Sequence, residues 1–268
     1  MVNNFIIDHV LRGFMTKRNG EYMWSINQIT NPSLNVSLSD TAQAVDALGT
    51  PIQEFDRGRS AEFSAENSIF DLSLYAAQMG KDVEVATKDN GKTITVPMFE
   101  DINVSDAVEG KYVTKKVPVE GIKTIYALNG DGTLGKAYTL STSADASVDT
   151  FAYDEDAHEI TLPTDEALTK DSQLFVMYDY EAKEATAVTA DAINFPRNGR
   201  FVMEVLGTSV CDPDTLIHAF VEFPNAKLDG NVDYSFTTDG THPFVIKAMQ
   251  DYCDKQKVLF RILIPDEE

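Results

Sequence analysis

Cysteine is nearly absent, with Cys211 and Cys253 the only two. Two thiols cannot build a disulfide framework or a cysteine-rich zinc site, and both read as small buried residues. Basic residues are scarce as well. Lys and Arg total 22 against 43 Asp and Glu, a formal net charge of −21. That balance excludes wrapping nucleic acid by phosphate neutralisation, which needs a basic surface. It leaves room for a nucleic acid that passes without sticking, because an acidic wall repels phosphate. No run approaches the ~18 apolar residues of a membrane span. Residues 1–20 lack the basic start, unbroken apolar stretch and small-residue cleavage site of a secretory signal. The expectation is a protein made in a cytoplasm with no membrane partner, in which the Asn-Val-Ser triplets at Asn35 and Asn103 are chance sequons.

Catalytic wording is missing too. His9, His158, His218 and His242 form no H-x-x-x-H or H-E-x-x-H pair, no Ser stands in a G-x-S-x-G elbow, and there is no P-loop. Asp214 and His218 are four apart, but they lead into a strand and need not share a face. Residues 130–135 match the dinucleotide fingerprint G-x-G-x-x-G letter for letter. That chemistry needs a helix to begin there, and the KAYTL that follows is a strand pattern. Asn-Gly followed by Asp-Gly is hairpin chemistry instead, with too few carboxylates for a calcium loop. No catalytic residue, cofactor or metal is expected, and the chain reads as non-enzymatic.

What is present is an ordinary globular composition: 268 residues, 43% hydrophobic and 10% aromatic, enough for one large domain or two smaller ones. In GRSAEFSAENSIFDLSLYAAQMG, residues 58–80, Ala61, Phe63 and Ala65 alternate with Glu62, Ser64 and Glu66. The pattern predicts a strand with one buried face and one acidic face. Ile69, Leu72, Ala76 and Met79 then recur at helical spacing behind Asn67 or Ser68 as cap, with Gly80 as the stop. Near the end, Val232, Tyr234 and Phe236 alternate with Asp233, Ser235 and Thr237, and a second helix is expected from Thr241 through Tyr252. Residues 5–15 read as a strand or a short arm kinked at Gly13, and further strands are expected over 21–29, 34–38, 200–206 and 218–223. A final strand over 258–264 is apolar enough for burial on both faces.

Residues 39–57 read as a long loop of small and polar residues, uncommon inside a compact domain unless it has a job. A hairpin turn is expected at Lys88-Asp89-Asn90-Gly91. From 111 to 190 come six short strands with turns between them and no helix, at 115–119, 124–128, 136–140, 150–153, 159–162 and 173–180. The expected organisation is a discontinuous core, 1–110 and 191–268, carrying an inserted β-sandwich at 111–190. The fold class is mainly β with two short helices.

This texture and order resemble the major tail tube proteins of long-tailed (siphovirus- and myovirus-like) bacteriophages. The stretches that carry the resemblance are EYMWSINQI, the 58–80 block, FVEFPNAKLDGNVDYSFTTDGTHPF and the closing KVLFRILIPDEE. The resemblance covers residues 20–100 and 195–268. It implies a β-sandwich or barrel core, with 111–190 resembling the immunoglobulin-like domains that phage virion proteins display. It also implies a virion tail component that pairs with copies of itself in stacked hexameric rings, touches other tail proteins and lets DNA pass without tight binding. On that basis Glu62, Glu66 and Asp233 are candidate lumen-facing acids. The 39–57 segment (Asp40, Asp46, Gly49, Pro51, Phe55) is a candidate inter-subunit loop. A capsid decoration or head-completion protein and a β-rich receptor-binding module remain alternatives. The second would expose aromatics among Tyr126, Tyr138, Phe151 and Tyr153.

Overall fold

Period-two burial decides most of the architecture. The computed structural model describes residues 4–210, 214–252, 255 and 257–265, so Cys211 and Cys253 lie outside the described residues. Residues 1–83 and 188–268 form one unit and 84–187 a second. The first begins with β1 (Phe5–Thr16), β2 (Tyr22–Ile26), β3 (Ile29–Val45), β4 (Pro51–Asn67) and helix α1 (Leu72–Met79). The second holds β5 (Glu84–Ala86), β6 (Ile94–Asn103), a 3-10 turn at Val104–Asp106, β7 (Lys111–Val113), β8 (Thr124–Leu128) and β9 (Leu134–Leu140). It continues with β10 (Thr150–Asp154), β11 (Glu159–Thr161), β12 (Gln173–Ala182) and β13 (Ala185–Ala187). The first unit resumes with β14 (Asn198–Ser209), β15 (Leu216–Leu228), β16 (His242–Ala248) and β17 (Arg261–Leu263).

The first unit is one eight-stranded sheet, ordered β2-β1-β14-β15-β16-β4-β3, with β17 paired to β15 off that path. One face is apolar at every second residue. Phe201, Met203 and Val205 of β14, Ala219, Val221 and Phe223 of β15, and Phe244 and Ile246 of β16 are buried there with Met15, Trp24 and Phe63. Trp24 stacks on Phe201 at 5.6 Å and meets Phe244 edge-on at 5.9 Å. Such aromatic pairs contribute beyond the area they bury. Helix α1 adds Leu74 and Ala77 to this core. Its N-cap is Asp71, whose carboxylate accepts from the Leu74 amide, and Gly80 ends it in the left-handed region at φ 71.

The second unit orders its main sheet β6-β12-β8-β9-β10-β11-β7, and β5 pairs with β13. Its core is separate: Ile102, Ile125, Tyr138, Phe151, Ile160, Leu174 and Val176 are all essentially inaccessible. Glu100 is buried among them. It accepts hydrogen bonds from the Tyr112 and Tyr178 hydroxyls, both 2.6 Å, which satisfies a charge that would otherwise be costly to bury. Burial first, and then the bond to Glu100, push both tyrosine pKa values up. The Gly130–Gly135 stretch is the β8–β9 hairpin turn, closed by Asn129 N–H to the Thr133 carbonyl at 2.9 Å.

Several expectations fail, each for a visible reason. The second helix is β16. Pro243 and the β-branched Val245 and Ile246 fit a strand, and Phe244 and Ile246 alternate into the core between β15 and β4. The alternating 232–237 stretch is not a strand: β15 runs on to Leu228, and 229–241 contains no strand or helix. Its alternation persists, with Val232 and Tyr234 half-buried, because the segment needs a covered side even without ladder partners. The first helix starts at Leu72, three residues later than its periodicity suggests, because Asp71 caps it. The Lys88–Gly91 turn joins no hairpin, since β5 pairs with β13 and β6 with β12. The segment 115–119 makes only an isolated bridge, Pro118 to Tyr180. Finally, β17 is three residues long and exposed instead of buried on both faces.

Candidate assembly surfaces

The expected loop at 39–57 is the outer half of a two-stranded antiparallel arm. β3 and β4 pair from Ile29–Asn67 out to Val45–Pro51, whereas β16 supports β4 only over Glu62–Asn67. At about 3.3 Å per residue, residues 51–61 reach roughly 35 Å past the last β16 rung. Bulges near Asp40 and opposite it near Arg57 let the ladder continue with its register shifted. At the tip, the Asp46 carboxylate accepts from the Leu48 and Thr50 amides, both 2.8 Å, and Gly49 takes φ 84. Pro51 opens β4 on the exposed side. Beyond the bulges the rungs alternate. Ala42, Ala44, Gln53 and Phe55 share one face, and Thr41, Gln43, Glu54 and Asp56 the other. Leu48 is 91% exposed and Phe55 51%.

Glu62 and Glu66 lie on the β4 face opposite the core, Glu62 exposed and Glu66 half-buried. Asp233 is exposed in the 229–241 segment and is not a neighbour of theirs on a strand. The face that carries Glu62 and Glu66 is not uniformly acidic. Glu62 is in register with Lys247, and Lys247 with Lys227. Farther along, Glu204 on β14 takes Arg12 of β1 at 2.5 Å and His218 of β15 at 2.9 Å. Glu222 on β15 takes Arg200 of β14 at 2.6 Å and Arg261 of β17 at 2.5 Å. Burial works to raise the Glu222 pKa, but the two guanidinium hydrogen bonds outweigh it and hold it below the usual carboxylate range. At Glu204 burial likewise works to raise the pKa, and the hydrogen bonds to His218 and Arg12 outweigh it and lower it. In RFVMEVL and HAFVEF the charges fall at even spacing, on the face opposite Phe201 and Phe223 and shared with Phe220.

A second polar set ties α1 to the 229–241 segment. His242 is fully buried. Its Nδ1 accepts from the Asp71 amide at 3.2 Å, so Nε2 carries the proton and donates to Gln78 Oε1 at 2.9 Å. The Tyr234 hydroxyl donates to the same oxygen, and Gln78 Nε2 donates to the Pro243 carbonyl. Burial lowers the His242 pKa to about 4, so the ring is neutral.

Among the described residues, no group of three or more His, Cys, Asp or Glu is placed to hold a metal ion, and no helix is long and apolar enough to cross a membrane. A cleft of about 280 Å³ lies between the β1–β2 turn and the end of α1. Its charged groups, Lys17, Lys81, Asp82 and Arg197, sit among Met23, Ala76 and Ala77, in an arrangement unlike a general acid/base pair. Of the aromatics a receptor-binding module would expose, Tyr138 and Phe151 are core residues and Tyr126 and Tyr153 are half-buried.

The model of the YomU/Tube protein family matches residues 5–262, nearly the whole chain and both units. The chain belongs to the YomU/Tube protein family. Among curated proteins no match is found. YomU/Tube membership makes this a tube-type phage structural protein.

Proposed function

We propose that this tube-family protein is the repeating subunit of a phage tail tube. Copies associate through their sheets into hexameric rings, the rings stack with other tail proteins at their ends, and DNA passes down the channel without being held. The arm carries this reading. A two-stranded ribbon on its own is marginal in water, yet this one extends far beyond its support and exposes Val45, Leu48, Ile52 and Phe55. Such a device makes sense when a neighbouring copy covers it. The sheet also ends in β2 on one side and β3 on the other, and closure of several copies removes edges that otherwise invite uncontrolled pairing. In this reading residues 39–57 contact an adjoining subunit and the 84–187 unit decorates the tube. Negative-stain microscopy of the purified chain at rising concentration tests it. Rings or tubes are the expected outcome, and a chain that stays monomeric at every concentration and salt would refute it.

A further inference from the structure

Strand β17 has an odd place in the first unit. It lies off the main path of the sheet, on the edge of β15 beside the stretch that pairs with β16. Only three rungs hold it: Phe220–Leu263, Val221–Ile262 and Glu222–Arg261. Within the strand Ile262 and Leu263 remain 55% and 42% exposed, while its flanks Phe260 and Ile264 lie against the core, Phe260 at 5.8 Å from the Phe223 ring. One strong contact fixes its register, the Arg261–Glu222 ion pair. The stretch between β16 and β17 has no helix or strand among its described residues, and Lys257 adopts φ 54, an uncommon conformation for a side-chain-bearing residue.

We propose that β17 is exchanged between copies: in the assembled protein the β15 edge of each subunit receives β17 of the next. This rests on the self-assembly reading above and names a contact within it. A swapped strand needs no new complementarity, because the three rungs and the Arg261–Glu222 pair re-form unchanged with a second copy as donor. Three rungs, one ion pair and two flanking apolar side chains hold the strand at home, all of which a second copy can supply in the same way, and the described residues between β16 and β17 hold no helix or strand. Each subunit gives one strand and receives one, a head-to-tail arrangement that closes into rings. Glu222 is suited to reading the incoming strand. It is nearly inaccessible on the sheet and already held from one side by Arg200, so a strand placing a cation at the Arg261 position satisfies it and a slipped strand does not.

The test uses full-length chains with Cys211→Ser and Cys253→Ser. One carries Val221→Cys, the other Ile262→Cys, and the two are mixed, assembled and oxidised. The expected result is a covalent heterodimer in the particle fraction, absent when either chain is oxidised alone. Particles without that dimer, alongside an intrachain bridge in a Val221→Cys/Ile262→Cys double variant, would overturn the exchange and leave the tube reading standing. A parent chain that forms no particles removes both. Should the cysteine chains fail to fold, charge reversal answers the same question. Glu222→Arg and Arg261→Glu chains are each expected to assemble poorly alone and to recover when mixed, because each strand then meets the opposite charge on its neighbour. A mixture no better than its components would overturn the exchange.

Discussion

Consider shortening the arm. Leu38 and Arg59 are a cross-strand pair, so joining them through an Asn-Gly turn closes the ribbon with a two-residue hairpin and deletes residues 39–58. The subunit's own core loses nothing, because its buried β4 residues begin at Ala61. Four apolar side chains are removed that are exposed to 53% (Val45), 91% (Leu48), 69% (Ile52) and 51% (Phe55). Fully burying such a side chain stabilises by about 1.5–3 kcal/mol. Weighted by those exposed fractions, the four amount to about 5 kcal/mol per arm if a neighbour covers them. Ordering the interface offsets part of this. What remains corresponds to roughly three powers of ten in the concentration needed to polymerise. Sedimentation across a concentration series measures that threshold, and thermal unfolding of the dilute subunit is the control. The shortened chain is expected to melt within a few degrees of the parent while failing to polymerise where the parent does. Polymerisation at the parent's concentration would refute the reasoning, and a collapse of the melting temperature would show that the arm belongs to the fold.

The remaining predictions concern the subunit. His242 has a folded-state pKa of about 4 against an ordinary 6.5, so between these values the unfolded chain binds a proton that the folded chain refuses. Stability is then full above pH 6.5 and falls as pH drops toward 4, by about 3 kcal/mol at most; denaturant titrations at pH 7 and 4.5 should show a loss that His242→Gln reduces. Gly80→Ala would set a Cβ 2.3 Å from the Phe195 carbonyl oxygen at φ 71, so more than about 1 kcal/mol should be lost in the same titration. Trp24→Ala should cost about 3–5 kcal/mol. Trp24→Phe should cost much less, since the buried indole N–H has no hydrogen-bond partner to lose; equal losses would contradict this account.

Strands were legible where alternation had a core to face. Thr124–Leu128 is β8 as expected, and 150–153, 159–162 and 173–180 fall on β10, β11 and β12 within two residues. Failures cluster where local pattern and partner disagreed. Phe244, Ala248 and Tyr252 satisfy a helical spacing, yet Phe244 and Ile246 satisfy period two equally well, and only the gap between β15 and β4 decides. VLFRILI reads as an interior strand from composition, but its burial depends on how many neighbours reach it, which no single sequence records. The arm looked like a loop because Gly49, Pro51 and small polar residues dominate it. A ribbon with no core beneath it has no need of an apolar stripe.

Charge is the last case in which pairing overrules composition. The net −21 invites a picture of a uniformly acidic channel, yet all seven arginines fall in the first unit, and three of them lie with Glu62 on the open face of its sheet. There Arg12 is paired with Glu204, and Arg200 and Arg261 with Glu222. A guanidinium paired with a carboxylate has its charge partly offset and so attracts a phosphate less, and breaking such a pair strands a nearly buried glutamate. A channel lined by this face would let DNA slide because its arginines are paired with carboxylates, with less need for a repelling wall. The two mechanisms differ in their response to Glu222→Gln. With an acidic wall, losing one charge among many changes little. With satisfied pairs, two arginines lose their shared carboxylate, and the assembled tube should begin to retain short duplex DNA at low salt and release it as salt rises. Retention no greater than the parent's would return the argument to net charge.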